Sequence, residues 1–322
     1  MINSVDTYIE FQLFVLRMSK PLDRITLLET FVRIAEAGSI SGAARTLGLS
    51  QPSASRQLAD LEASMGVQLI RRTTHTLNLT EAGSDLLLDA RRLLDDWEAL
   101  AEKHRSADAS IRGKLKIIAP VALGQQLLAR VACEFQVQHP GVVLNFELSD
   151  RPIRFAEEGC DCWIRVGPIV DDSLVVRPLA KVERLVVCAP QLTTRSSKVS
   201  TPKLAERLPM VALDPYEGGR IPLTHQKREY LFSPQERMRT NNIFALKEAA
   251  LAGIGMAVLP KWFVTSELDN GSLVDLMPSW RAPYLPVQVA YLPARHQTLR
   301  LRAFLETLGA QLSQIGGLLP IE

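Results

Sequence analysis

Three glycines, Gly38, Gly48 and Gly66, constrain this chain more than any other feature, because they cut the stretch from Leu22 to Met65 into helices too short to stand alone. Leu22, Ile25, Leu28, Phe31, Val32 and Ala35 recur at a helical period and predict a first helix over 22–37. Gly38 stops it, and Ser39 or Ser41 can cap the next, which runs from Gly42 to about Leu47. Gly48 ends that one, and Ser50 starts a third helix reaching about Met65. Two short helices joined by a tight glycine turn describe a helix-turn-helix. The small residues Ala43 and Ala44, with Leu47, are placed to meet Ala54, Leu58 and Leu61 at a close crossing. The β-branched, alternating run from Val67 to Leu79 then predicts a two-stranded wing.

The third helix begins SQPSASRQL. A helix of this kind enters the major groove by its N-terminal end, whose unpaired N–H groups also seat a phosphate. Ser50 is the expected cap, and Pro52 sits where a missing N–H costs nothing. Glutamine pairs with adenine, arginine with guanine or phosphate, and serine with either. The candidate DNA contacts are therefore Ser50, Gln51, Pro52, Ser53, Ser55 and Arg56, together with Arg71 and Arg72 of the wing. A serine and a proline alone would mark no more than a helix start. The preceding short helix, the glycine turn and the arginine pair make it a DNA-binding surface. Because the net charge is only +2, any basic surface must be local.

Thr80 looks like another cap, with Glu81 in an acidic first turn. Beyond it Leu86, Ala90, Leu93, Trp97 and Leu100 alternate steps of four and three, a coiled-coil seam, and Leu87, Leu94 and Ala101 flank it. About 25 residues make a rod of roughly 37 Å, too narrow to bury its own stripe. The seam predicts a second copy of the same helix as its partner, the alternative being that the helix lies on its own domain. Residues 106–112 are small and polar and read as a hinge. After the hinge, strands (114–119, 142–148, 162–166, 175–189, 287–291) alternate with helices (121–138, 245–252, 299–312), the pattern of an α/β sheet domain. Its 200-odd residues and proline-rich middle predict two lobes.

Three blocks in order, SISGAARTLGLSQPSASRQLADLE (39–62), GVQLIRR (66–72) and LTEAG (79–83), resemble the DNA-binding domain of LysR-type transcriptional regulators. The likeness continues through LSDRPIRFAEEGCDCWIRVG (148–167), which is similar to the CrgA-like subgroup, and AGIGMAVLP (252–260). It covers nearly all of the chain from about Leu22. The fold class it implies is α/β: an N-terminal winged helix-turn-helix, a long dimerising linker helix and a two-lobed effector domain shaped like a periplasmic binding protein. On that plan residues 1–21 are an extension, with Met18 a second possible start. Residues 22–79 bind DNA, 80–105 form the linker, 106–112 the hinge, and 113–322 the effector domain. Lobe I would take about 113–180 and 286–322, and lobe II about 181–285.

The resemblance also implies partners: double-stranded promoter DNA, a small-molecule effector, and further copies of the chain as a homodimer or homotetramer. It puts the effector pocket between the lobes, at Val121 and Ala122, at Ser149, Asp150 and Arg151, and at Asn241 and Asn242. Such side chains suit a small polar or anionic metabolite. Two positions depart from the family pattern. Ile70 stands where phenylalanine is usual, and Ile153-Arg154-Phe155 replaces a valine-aspartate-leucine run.

No stretch reaches the roughly 18 apolar residues of a membrane span, and the apolar run 11–16 follows acidic rather than basic residues, unlike a signal peptide. A cytoplasmic protein is expected. Cys133, Cys160, Cys162 and Cys188 fit no zinc spacing, and Cys160 and Cys162, which would share one face of a strand, read as small buried residues rather than as a redox pair. The five histidines are scattered. No P-loop, HExxH, GxSxG or post-strand GxGxxG occurs, so no catalytic residue, metal or cofactor is expected. Two other readings stay open at this point. The C-terminal domain could serve assembly alone, or it could be an α/β enzyme under a DNA-binding head.

Overall fold

The computed structural model describes residues 23–72, 77–104, 111–151, 153–194, 201–214, 220–294, 297–312 and 318–321. The predicted extension therefore lies outside the described residues, as does most of the predicted hinge. Two compact units are present. One comprises the chain up to residue 107 with 152–159 and 294–298, and the other 108–151, 160–293 and 299–322.

In the first unit α1 (Arg24–Ala37), α2 (Ile40–Leu47) and α3 (Gln51–Met65) pack around one core. Asp23 caps α1 and Ser39 caps α2, its Oγ accepting from Gly42 N at 3.1 Å. Gly38, Gly48 and Gly66 end the three helices, all left-handed, as their places in the sequence predict. The buried face of α1 is Leu27, Thr30, Phe31, Val32 and Ile34, rotated from the expected stripe, and Ile25 and Leu28 are only half-buried. The face turns because α1 packs against α2, α3 and a fourth helix at once. Strands β1 (Ile70–Arg72) and β2 (Leu77–Leu79) pair antiparallel to form the wing. Ile70, at the position where the family has phenylalanine, is fully buried in the same core.

Helix α4 (Glu81–Lys103) follows β2. Leu87 and Ala90 are buried against the three-helix core, while Leu93, Trp97 and Leu100 remain 48%, 55% and 42% exposed. The expected seam thus divides. Its first half is used within the chain, and its second half is open. Arg91 is buried beside Glu36 of α1, their charged groups 3.1 Å apart, and Arg33 holds the other oxygen of Glu36 at 2.8 Å.

The second unit is built on an eight-stranded sheet. It contains β3 (Gly113–Ala119), helix α5 (121–138), β4 (Val142–Leu148), β5 (Cys162–Val166) and β6 (Val175–Cys188). Farther along come β7 (Met210–Leu213), the hairpin β8 (Ile221–His225) and β9 (Arg228–Phe232), and β10 (Glu236–Thr240). Helix α6 (Ile243–Leu251), β11 (Ala257–Pro260), α7 (Lys261–Asp269), β12 (Val274–Asp275), β13 (Ala282–Tyr291), α8 (Leu299–Leu312) and β14 (Leu318–Leu319) follow, and short helical turns stand at Pro190–Thr194 and Pro202–Ala205. The sheet order is β11-β6-β13-β5-β3-β4, with β12 and β14 also on β6, and β7 pairs β10 apart from it. The parallel β3–β4 pair is joined through α5, the crossover that parallel strands require.

One core of this unit gathers Leu115, Ile117, Phe135, Ile164 and Phe304. Two others gather Val186, Met210 and Phe232, and Leu246, Leu259 and Phe263. Strands β6 and β13 run through both regions, since Val182 and Val287 lie in the first core and Val186 and Ala282 in the second. The two lobes are thus joined by long continuous strands rather than by loops.

Candidate nucleic-acid interface and effector turn

The DNA side is organised around the start of α3. Ser50 has extended backbone, and its Oγ accepts from Ser53 N at 3.2 Å and lies 2.8 Å from Ser53 Oγ. Pro52 falls in the first turn, where its missing N–H leaves no bond unmade. Ala54, Leu58 and Leu61 point inward at steps of four and three, which turns Gln51, Pro52, Ser53 and Arg56 to solvent. Ser55 is half-buried. Gln57, beside Arg56, accepts a hydrogen bond from Thr30 Oγ1 and ties α3 to α1.

The wing is fixed to the same helix. Glu62 Oε1 accepts from Leu69 N at 2.8 Å and from Ile70 N at 3.2 Å. Thr80 Oγ1 donates to Gln68 O at 2.7 Å and accepts from Gly83 N at 3.0 Å. Gly83 must be glycine here, since a Cβ would stand 2.1 Å from Leu69 O. Arg71 is exposed on β1, and Arg72 follows it on the strand. These bonds give Glu62 and Thr80 positioning roles that sequence reading missed for Glu62. The only signal was an acidic residue eight before the wing.

On the effector side, α5 begins after Pro120 with its first N–H turned toward a loop from elsewhere in the chain. Val121 N donates to Asp150 Oδ1 at 3.0 Å. Ser149 N donates to Ala119 O at 2.9 Å, and Ser149 Oγ accepts from Arg151 N at 3.3 Å. Burial raises the Asp150 carboxyl above the ordinary carboxylate value, and the Val121 N–H partly opposes the rise. Ala122 is buried and packs in the core around Leu246 and Phe263. Next to it Gly124–Leu128 is a π-helical turn, a feature frequent at functional sites and invisible in the sequence. A Cβ on Gly124 would meet Leu148 Cδ2 at 2.2 Å, so the helix lies close on the end of β4.

Val121 and the 149–151 turn are therefore brought together. Asn242 lies at a different helix start, where its Oδ1 accepts from Phe244 N at 3.0 Å and Ala245 N at 3.2 Å. That oxygen is engaged as the cap of α6, and Asn241 beside it is exposed.

None of the four cysteines is in a disulfide. Cys160 and Cys162 are both buried, and burial first, then the neighbouring Cys160 and Asp161, pushes the Cys162 thiol well up. Burial likewise pushes Cys188 up to about 11. Such thiols are not poised as thiolates. Among the described residues no histidine, cysteine and carboxylate group could hold a metal ion, and no helix is long and apolar enough to cross a membrane.

A helix-turn-helix with a wing, followed by a long helix and a two-lobed α/β unit, defines a DNA-binding regulator with an appended sensing domain. Residues 25–84 match the bacterial regulatory helix-turn-helix of the lysR family, and residues 108–313 match the LysR substrate binding domain. The chain belongs to the LysR family of transcriptional regulators. The regulator PtxR of Pseudomonas aeruginosa is 30% identical over 306 residues, 92% of this chain and 97% of that protein. CrgA of Neisseria meningitidis is 29% identical over 291 residues, 88% of this chain and 96% of CrgA. The solved structure of CrgA covers 89% of this chain and 98% of its own at 26% identity, with a TM-score of 0.56. Regulators of this family bind DNA through the helix-turn-helix, take small-molecule effectors in the substrate domain and form oligomers.

Proposed function

We propose that this regulator reads operator DNA with the start of α3 and the wing, and senses a small polar or anionic metabolite with its C-terminal domain. Residues 22–79 form the DNA-binding part, 80–105 the dimerising linker, 106–112 the hinge, and 113–322 the effector domain. The DNA contacts are Ser50, Gln51, Pro52, Ser53, Ser55 and Arg56, with Arg71 and Arg72. The open seam Leu93, Trp97 and Leu100 takes a second copy of α4, because an exposed stripe of that size on a rod needs a partner. The effector touches the turn around Val121, Ala122, Ser149, Asp150 and Arg151, with Asn241 and Asn242 across the cleft. The C-terminal domain binds without turning its ligand over, and the protein works in the cytoplasm, where its DNA is.

The observation that carries this reading is the solvent-facing first turn of α3. Its cap is satisfied within the chain by Ser50, so Gln51, Ser53 and Arg56 are left to a ligand that offers phosphates and base edges. The test combines genomic footprinting of the full chain with thermal shift against the metabolites handled by genes beside the bound sites. A ligand at 100 times its Kd raises stability by about 2.7 kcal/mol. Sequence-independent footprints would sink the operator reading, and a flat thermal response across those metabolites would sink the sensing reading.

A further inference from the structure

The lobe seam contains a buried polar atom that the fold does not satisfy. Among the described residues the indole Nε1 of Trp262 makes no hydrogen bond, and that atom is buried. Buried tryptophan N–H groups ordinarily find a partner, and one that does not requires a reason. Trp262 stands in the first turn of α7, directly after β11. It packs against both the core around Ile117 and Phe135 and the core around Leu246 and Phe263. Ala122, from the start of α5, belongs to the second of those cores. One of the cores that the indole packs against thus includes a residue of the expected effector turn. An aromatic wall extends from it, with Trp262 edge-on to Phe263 at 5.5 Å and Phe263 edge-on to Phe244 at 5.0 Å.

We propose that Trp262 is an effector-binding residue whose indole N–H donates to a carboxylate or carbonyl oxygen of the small molecule, while its ring and Phe263 pack against that molecule's apolar body. The inference rests on the sensing reading above and narrows it, since an indole is a donor only and an ammonium group cannot satisfy it. The lobes are joined by β6 and β13, and the acceptor of the ligand would enter between them at the indole edge. Binding then replaces an unmade hydrogen bond with a charge-assisted one. An unmade bond at the indole favours the liganded arrangement when the right acceptor arrives.

The experiment uses the full chain labelled with 15N at its indole nitrogens. The probes are acetate, propionate, benzoate and phenylacetate, with ethylamine and benzylamine as donor-only controls. A carboxylate that raises the melting temperature is expected to move the Trp262 indole cross-peak downfield. It is also expected to bind Trp262→Phe about tenfold more weakly or worse. The amines are expected to do neither. Trp262→Phe removes the N–H together with part of the bicyclic ring, so it is expected to melt lower than wild type by the lost packing, and the wild-type cross-peak separates the lost bond from the lost volume. Should that variant fail to fold, the cross-peak on the wild-type chain still decides, assigned by eliminating Trp97, Trp163 and Trp280 in turn as phenylalanine. A carboxylate that binds both proteins alike, or saturates the chain without moving the Trp262 peak, overturns this inference and leaves the sensing reading intact. A panel in which no carboxylate shifts the wild type overturns the carboxylate assignment, and a donor-only amine that binds through Trp262 overturns the donor role.

Discussion

The starts of α3 and α5 are both helix N-termini followed by candidate ligand contacts, and they are finished in opposite ways. At α3 the cap is local: Ser50 accepts from Ser53 N three residues on, and Gln51, Pro52, Ser53 and Arg56 face solvent. At α5 the cap is distant. Asp150 reaches Val121 N from 29 residues away, and Ala122, Leu123 and Gly124 are buried. A start that satisfies itself can present its flank to something large and outside, such as a duplex. A start closed by a remote loop is tied to that loop, so whatever touches 149–151 also acts on the helix. The first arrangement suits recognition by a rigid surface, the second suits a signal.

The sharpest way to break the contrast is on the DNA side. Arg56 is exposed and makes no contribution to the core of the first unit, so Arg56→Ala should weaken operator binding by about 1–3 kcal/mol with folding unchanged. Titration of a footprinted operator by wild type and variant, with melting curves alongside, measures both. Equal affinities would remove Arg56 from the interface and leave the α3 start as a structural feature alone. Ser50→Ala should have a smaller and different effect, lowering the stability of the first unit by about 1 kcal/mol through the lost cap. Denaturant unfolding followed by the α3 amides in hydrogen exchange checks it. An unchanged midpoint would mean that water replaces the serine without cost.

The contrast also explains which parts were legible in the sequence. Gly38, Gly48 and Gly66, the Ser39 and Ser50 caps and the alternating wing are local signals, each written within a few residues of where it acts. The main-sheet strands β3, β4, β5 and β6 and the helices α5, α6 and α8 could be read the same way, whereas β7 to β10 and helix α7 were not. What escaped was set by partners far along the chain. The buried face of α1 turned toward Leu27 and Ile34 because α4 also packs on it. Half of the α4 seam was taken by the three-helix core, which no heptad count reveals. The cap that Asn242 Oδ1 gives α6 is settled only by the hydrogen bonds to Phe244 and Ala245, since the sequence allowed a cap and a ligand contact alike. The π turn at Gly124–Leu128 and the unsatisfied Trp262 indole arise only from tertiary packing.

The smallest expected effect tests the remote cap itself. Surrounding protein raises the Asp150 carboxyl above the ordinary carboxylate value, and the Val121 N–H only partly offsets that. With the folded value above the unfolded one, the native state holds its proton to higher pH than the unfolded state does. Stability therefore falls as pH rises from the ordinary carboxylate range through the raised value, and stays lower above it. Asp150→Asn keeps an oxygen for Val121 N and removes the charge, so that fall should disappear. Above the window the variant should match wild type or exceed it by no more than about 0.5 kcal/mol, because the carboxylate keeps one flank in water that screens it. Denaturant midpoints from pH 3.5 to 7 for the two proteins measure the difference. Parallel curves would mean that Asp150 titrates as an ordinary surface acid, and the α5 start would then be no more closed than the α3 start.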